Sequence, residues 1–189
     1  STNLGLDPLR ATKDKADLAL EAGVLGFVID ATTVHDLGAS DAQELGYAMA
    51  VAATYLRTLT AAGVELDCAS SLVEFRFAAT DEQFPTIAKL RAARQLWARM
   101  LELSGGDPIA QVQHVVTSRP MMSIYDPYVN MLRTTVAAFA AGAAGADAVT
   151  VLPFDTPLGR PDGFGRRIAR NTSALLIAES HVAAVADPA

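Results

Sequence analysis

Asp126-Pro127-Tyr128-Val129-Asn130-Met131-Leu132-Arg133-Thr134, followed past Gly145 by Ala148-Val149-Thr150-Val151-Leu152, is the stretch whose reading decides the fold. Asp126 suits an N-cap, because its carboxylate can accept from a free backbone N–H of the first turn. Pro127 suits the first helical position, where its missing N–H costs nothing. Tyr128, Leu132, Val136 and Phe139 then recur at helical spacing and predict the face turned to the core. Gly145 closes the helix and an apolar strand begins almost at once, which is how a helix feeds a parallel strand.

The same alternation extends outward in both directions. Upstream lie a strand over 109–116 and the polar loop Thr117-Ser118-Arg119. Before them, Thr80-Asp81-Glu82-Gln83 has the spacing of a capping box, with Phe84, Ile87, Leu90, Ala93, Trp97 and Leu101 as its helix stripe and Gly105-Gly106 as terminator. Residues 72–79 alternate, with Glu74 and Arg76 on one side and Val73, Phe75 and Phe77 on the other. Ser40-Asp41-Ala42-Gln43 is another capping box, and its helix carries Leu45, Ala48, Met49, Ala52, Leu56 and Leu59 as far as Gly63. Val24 to Asp30 is a continuous apolar run, predicted as a strand buried on both faces, with a loop from Ala31 to Gly38. A helix is expected over 13–22, and Asn3 to Pro8 reads as a strand end or the start of a loop. Downstream come a loop over 153–163, a helix over 164–180 bearing Ile168, Leu175, Leu176 and Ala178, and a tail from Val182 expected to start another strand.

Strand and helix therefore alternate throughout, with strands roughly 35–50 residues apart, room for a right-handed crossover each time. The fold class is α/β with a parallel sheet, either open and doubly wound or a (β/α)8 TIM barrel. A barrel takes about 250 residues, so a chain of 189 residues forms part of one, a single domain over 1–189. The end Asp187-Pro188-Ala189 reads as though cut.

Composition narrows the function classes. The chain is 51% hydrophobic and 19% charged, a globular balance. No apolar run reaches the ~18 residues of a membrane span, so no membrane is expected as partner. A net charge of −6 argues against nucleic acid, whose phosphates favour basic surfaces. Arg91, Arg94 and Arg99 read as a solvated helix face. The single cysteine, Cys68, excludes an internal disulfide framework and fits a cytoplasmic protein.

In parallel α/β folds the site lies at the C-terminal ends of the strands. That rule selects Asp30, Thr32, Thr33 and His35, then Arg76 and Thr80, then His114, Thr117, Ser118 and Arg119, and Asp155 last. His35 lies in Thr33-Val34-His35-Asp36-Leu37-Gly38, whose spacing partly matches the Asp-x-His-x-x-Gly signature of a lower cobalt ligand, with Thr33 where the Asp should stand. A loop histidine bonded to backbone is the plainer reading. Asp30 with His35 would serve as an acid–base pair or share a metal, though no spacing fixes their geometry. His114 is read equally as structural or ligand-contacting. No glycine-rich phosphate loop follows any strand and no nucleophile elbow is present. On chemistry alone, the reading stops at an α/β domain for a small acidic or neutral ligand.

Several stretches are more specific. Asp126 to Thr135, Val149-Thr150-Val151-Leu152-Pro153-Phe154-Asp155, Arg167-Ile168-Ala169-Arg170-Asn171-Thr172, Ile87 to Arg94 and Val185-Ala186-Asp187-Pro188 together resemble the methylmalonyl-CoA mutase family, in that family's order. Asn3 to Pro8, Asp30 to Ala39 and Phe75-Arg76-Phe77 resemble its small (β) subunit. The resemblance implies roughly the last five strands of a TIM barrel that threads coenzyme A along its axis. It implies an isomerase of propionate metabolism that interconverts methylmalonyl-CoA and succinyl-CoA by radicals, using adenosylcobalamin. The first half of the barrel and a cobalamin-binding domain would lie outside these residues.

Carried over by position, the resemblance puts Thr33 where catalytic members have a histidine on the thioester carbonyl, and Ser71 where the family arginine for the substrate carboxylate is aligned. Neither can replace the lost group. His114 matches a family histidine and is the one cofactor-binding candidate, while Val116 stands for its glutamine partner. The expectation is a non-catalytic small subunit in a heterodimer with a large catalytic subunit, which holds the adenosylcobalamin and presents the acyl-CoA site. The alternatives are an active acyl-CoA mutase of altered specificity, or an aldolase-like barrel with a divalent metal at Asp30 and His35.

Overall fold

The computed structural model describes residues 8–185. Their strands are β1 (Phe27–Asp30), β2 (Val73–Ala79), β3 (Val112–Thr117) and β4 (Ala148–Thr150), all parallel in one sheet of order β1-β2-β3-β4. The helices are α1 (Pro8–Ala22), α2 (Thr32–His35), α3 (Asp41–Ala61), α4 (Leu66–Ser71), α5 (Gln83–Ser104), α6 (Val129–Ala143) and α7 (Gly163–Ala178), with 3-10 turns at Thr156–Leu158 and Val182–Val185. Each strand pairs with its neighbour in sequence, the order of a (β/α)8 barrel segment. No described helix is long and apolar enough to cross a membrane.

Period-2 alternation divides the sheet. Ile29, Phe75, Phe77 and Val115 are buried under the helices, where they meet Leu56, Leu59, Leu90, Trp97 and Leu101 in one apolar cluster. Phe75 stacks with Phe77 at 6.1 Å and meets Trp97 edge-on at 4.9 Å. The other face carries Val28, Asp30, Glu74, Arg76, His114 and Thr150, and none of these is buried. β1 is thus shorter than the expected run and covered on one face only, with Val28 40% exposed.

Local chemistry explains several of the helix ends. At Ser40 the capping box forms in both directions, the hydroxyl accepting from Gln43 N and the Ser40 N–H donating to Gln43 Oε1. At Thr80 it does not form: α5 begins at Gln83 after Glu82, without a side-chain cap. Thr80 instead turns its N–H and hydroxyl to the buried Thr86 hydroxyl, each at 3.2 Å. Phe84, expected in the α5 stripe, is 77% exposed. Arg94 does not belong to a solvated face, because its Nη2 donates to the Ala144 and Gly145 carbonyls at 2.7 and 2.8 Å. It satisfies the carbonyls just past the end of α6, at the C-cap Ala144 and at Gly145.

The deciding stretch folds differently in detail. Asp126 Oδ1 accepts from Tyr128 N at 3.2 Å, so it closes a turn, and α6 starts at Val129 after tight i→i+3 bonds from Asn130 N and Met131 N. The expected stripe faces outward: Tyr128 is 62% and Leu132 70% exposed. The buried face is Asn130, Thr134, Ala137, Ala138, Ala140 and Ala141, small or polar residues that let the backbone sit close to the sheet. β4 ends at Thr150, two residues early. Residues 182–185 form a 3-10 turn in place of the expected strand, with Val182 seated on Gly142, where a Cβ would lie 2.8 Å away. The loop expected after β1 contains α2, α4 was not anticipated, and the expected start before Pro8 lies outside the described residues.

Candidate functional site

The C-terminal ends of the four strands form a shallow polar mouth. β1 ends on Asp30, whose Oδ1 accepts from both the N–H and the hydroxyl of Thr32. Asp30 and Arg76 are register partners, as are Arg76 and His114. The inner face therefore carries a ladder across the sheet. Asp30 Oδ2 lies 3.4 Å from Arg76 Nη1, Arg76 Nη2 lies 3.5 Å from Glu74 Oε1, and that oxygen lies 3.2 Å from His114 Nδ1. His114 Nε2 completes it at 2.7 Å from Thr150 Oγ1. The Arg76 contacts are long for hydrogen bonds, and its Nε has no hydrogen-bond partner among the described residues. A cavity of about 210 Å³ lies against this ladder, lined by Asp30, Thr32, Asp36, Arg76, Thr117 and Arg119. A larger cavity of about 690 Å³ lies between α3 and α5. It is apolar and away from the strand ends, so it offers no chemistry to the mouth.

The sequence-selected residues do not all converge there. Thr33 is exposed and its hydroxyl donates to the Asp30 carbonyl at 2.9 Å. Ser71 ends α4 just before β2, at the N-terminal ends of the strands, and donates to the Cys68 carbonyl at 2.8 Å. Thr33 and Ser71 thus sit at opposite ends of the sheet. Thr117 accepts from Leu152 N at 2.9 Å and so ties β3 to the chain after β4. Arg119 is 3.9 Å from Asp36 at the rim. Asp155 Oδ2 accepts from Asp162 N ahead of α7. Asp30 and His35 form no pair: Asp30 turns inward to Arg76, and His35 turns outward into the helix layer. Among the described residues, no group of three or more His, Cys, Asp and Glu side chains is placed to hold a metal.

His35 belongs to a second cluster. Its Nε2 is 2.7 Å from Ser118 Oγ, and its Nδ1 is 3.5 Å from Glu44 Oε2 without hydrogen-bond geometry. Glu44, fully buried on α3, also accepts from Ala78 N at 2.8 Å and Lys89 Nζ at 2.7 Å, and Lys89 reaches Asp41 at 2.8 Å. Burial by itself pushes the Glu44 carboxyl up, but His35, the Lys89 charge and hydrogen bond, and the Ala78 N–H outweigh it and hold it below the usual range. Hydroxyl, imidazole and carboxylate here follow the order of a nucleophilic triad. Ser118 is only 2% exposed and Glu44 is committed to Lys89, so no substrate reaches the hydroxyl and the cluster works as a brace. The sequence carried one sign of it, Lys89 inside the buried stripe Thr86, Leu90, Ala93 of α5; the partner at Glu44 is 45 residues away.

Asn130, fully buried, sets the mouth loops. Its Oδ1 accepts from Ser123 N, and its Nδ2 donates to the Ser123 and Phe154 carbonyls, all within 3.0 Å. Replacing Asn130 by alanine orphans these backbone groups, a cost of about 2–3 kcal/mol. The expected result is a lower urea midpoint and faster hydrogen exchange at the Ser123 amide.

The family model described as methylmalonyl-CoA mutase matches residues 25–189. The chain is similar to a methylmalonyl-CoA mutase small subunit of Streptomyces virginiae, 59% identical over 168 residues, 88% of this chain and 27% of that protein. It is similar to a probable methylmalonyl-CoA mutase small subunit of Mycobacterium tuberculosis, 47% identical across 100% of this chain and 34% of that protein. To a methylmalonyl-CoA mutase of Escherichia coli it is 34% identical, over 81% of this chain and 22% of that one. The chain thus spans between about a quarter and a third of the small subunits it matches.

Proposed function

The chain belongs to the methylmalonyl-CoA mutase family, and we propose that it is one barrel segment, residues 1–189, of the enzyme's small subunit, a cytoplasmic and non-catalytic partner of a large catalytic chain. In this reading the assembled enzyme interconverts methylmalonyl-CoA and succinyl-CoA, and the large chain binds both the acyl-CoA and the adenosylcobalamin. The small-subunit names of the relatives support a heterodimer.

The observation that carries the non-catalytic part is the inner-face ladder. An acyl-CoA carboxylate needs a cation free to meet it, yet Arg76 stands between Asp30 and Glu74. A thioester carbonyl needs a donor, yet His114 is engaged by Glu74 and Thr150, and Thr33 donates to Asp30. Each of these three side chains already faces a partner in its own chain, Arg76 through its Nη atoms alone, so substrate binding would compete with those contacts. The residues also do not fit a cobalt ligand: His35, in the one stretch with partial signature spacing, is buried and bonded to Ser118.

The test is turnover. The full-length small chain, given adenosylcobalamin and methylmalonyl-CoA without its partner, should form no succinyl-CoA detectable by chromatography. Adding the large chain should yield activity in a co-purifying pair. Turnover by the small chain alone would overturn the proposal.

A further inference from the structure

We draw no further inference here: the strongest candidate, the apolar groove of about 690 Å³ between α3 and α5, lined by Met49, Leu56, Leu96, Met100 and Leu103, is an unpartnered face, and nothing in the structure shows what covers it.

Discussion

Glu44→Ala is expected to lower the free energy of unfolding by about 3–5 kcal/mol, the range for removing one partner from a buried ion pair. The substitution strands Lys89, 3% exposed, with the half-exposed Asp41 as its one remaining ion-pair partner among the described residues, and leaves the Ala78 N–H without its acceptor. It also releases His35, and with it the link to Ser118 at the end of β3. Five parts of the chain lose a common anchor: α2, α3, α5, β2 and the start of the loop after β3. Urea denaturation at neutral pH measures the loss. Acid should imitate it. The folded carboxyl titrates below its ordinary value of 4.5, so its contribution is complete above that pH and disappears as pH falls through the folded pKa. The stability gap between parent and Glu44→Gln should accordingly be widest at neutral pH and close as the solution is acidified. A gap that grows on acidification contradicts this account.

Trp97→Ala should cost a comparable amount, about 3–5 kcal/mol for a buried tryptophan. Trp97 is 1% exposed and meets Phe75 edge-on at 4.9 Å. Its removal opens a void between α5 and β2 where Phe75, Phe77 and Leu90 cannot close in without shifting the strand. Trp97 is the one tryptophan of the sequence, so unfolding of the variant has to be followed by far-UV circular dichroism rather than fluorescence. Trp97→Phe should recover most of the loss, because it keeps an aromatic edge against Phe75.

The parallel order of strands was legible in the sequence because period-2 runs between helix signals leave few other topologies. The alternation of β2 already put Glu74 and Arg76 together on one side. What they meet there, Asp30 and His114, depends on register between strands, which no local pattern encodes. Ser40 and Thr80 had equivalent capping-box spacing, but only Ser40 forms one, because a buried Thr86 competes for Thr80. The α6 stripe was inverted for a related reason. Periodicity located a face of large apolar residues, and tertiary packing placed the small face, Ala137, Ala138 and Ala141, on the sheet. The Ser118–His35–Glu44–Lys89 brace left one sign in the sequence, Lys89 in a buried stripe, but its partners could not be named, because Ser118 and Lys89 lie 83 and 45 residues from the groups they meet. Thr33 and Ser71, selected by resemblance, lie at opposite ends of the strands, a separation that sequence order does not express.

The sheet order β1-β2-β3-β4 bears on how the chain folds during synthesis. Each strand pairs with the one made just before it, so no strand must wait for a later one to slide between established neighbours. At about 5–20 residues per second on the ribosome, successive strand-helix units emerge seconds apart, long compared with helix formation and collapse. Growth can then proceed one unit at a time from the N-terminal side, with the newest strand always the exposed edge, so that a pause between units leaves a docked intermediate rather than a tangled one.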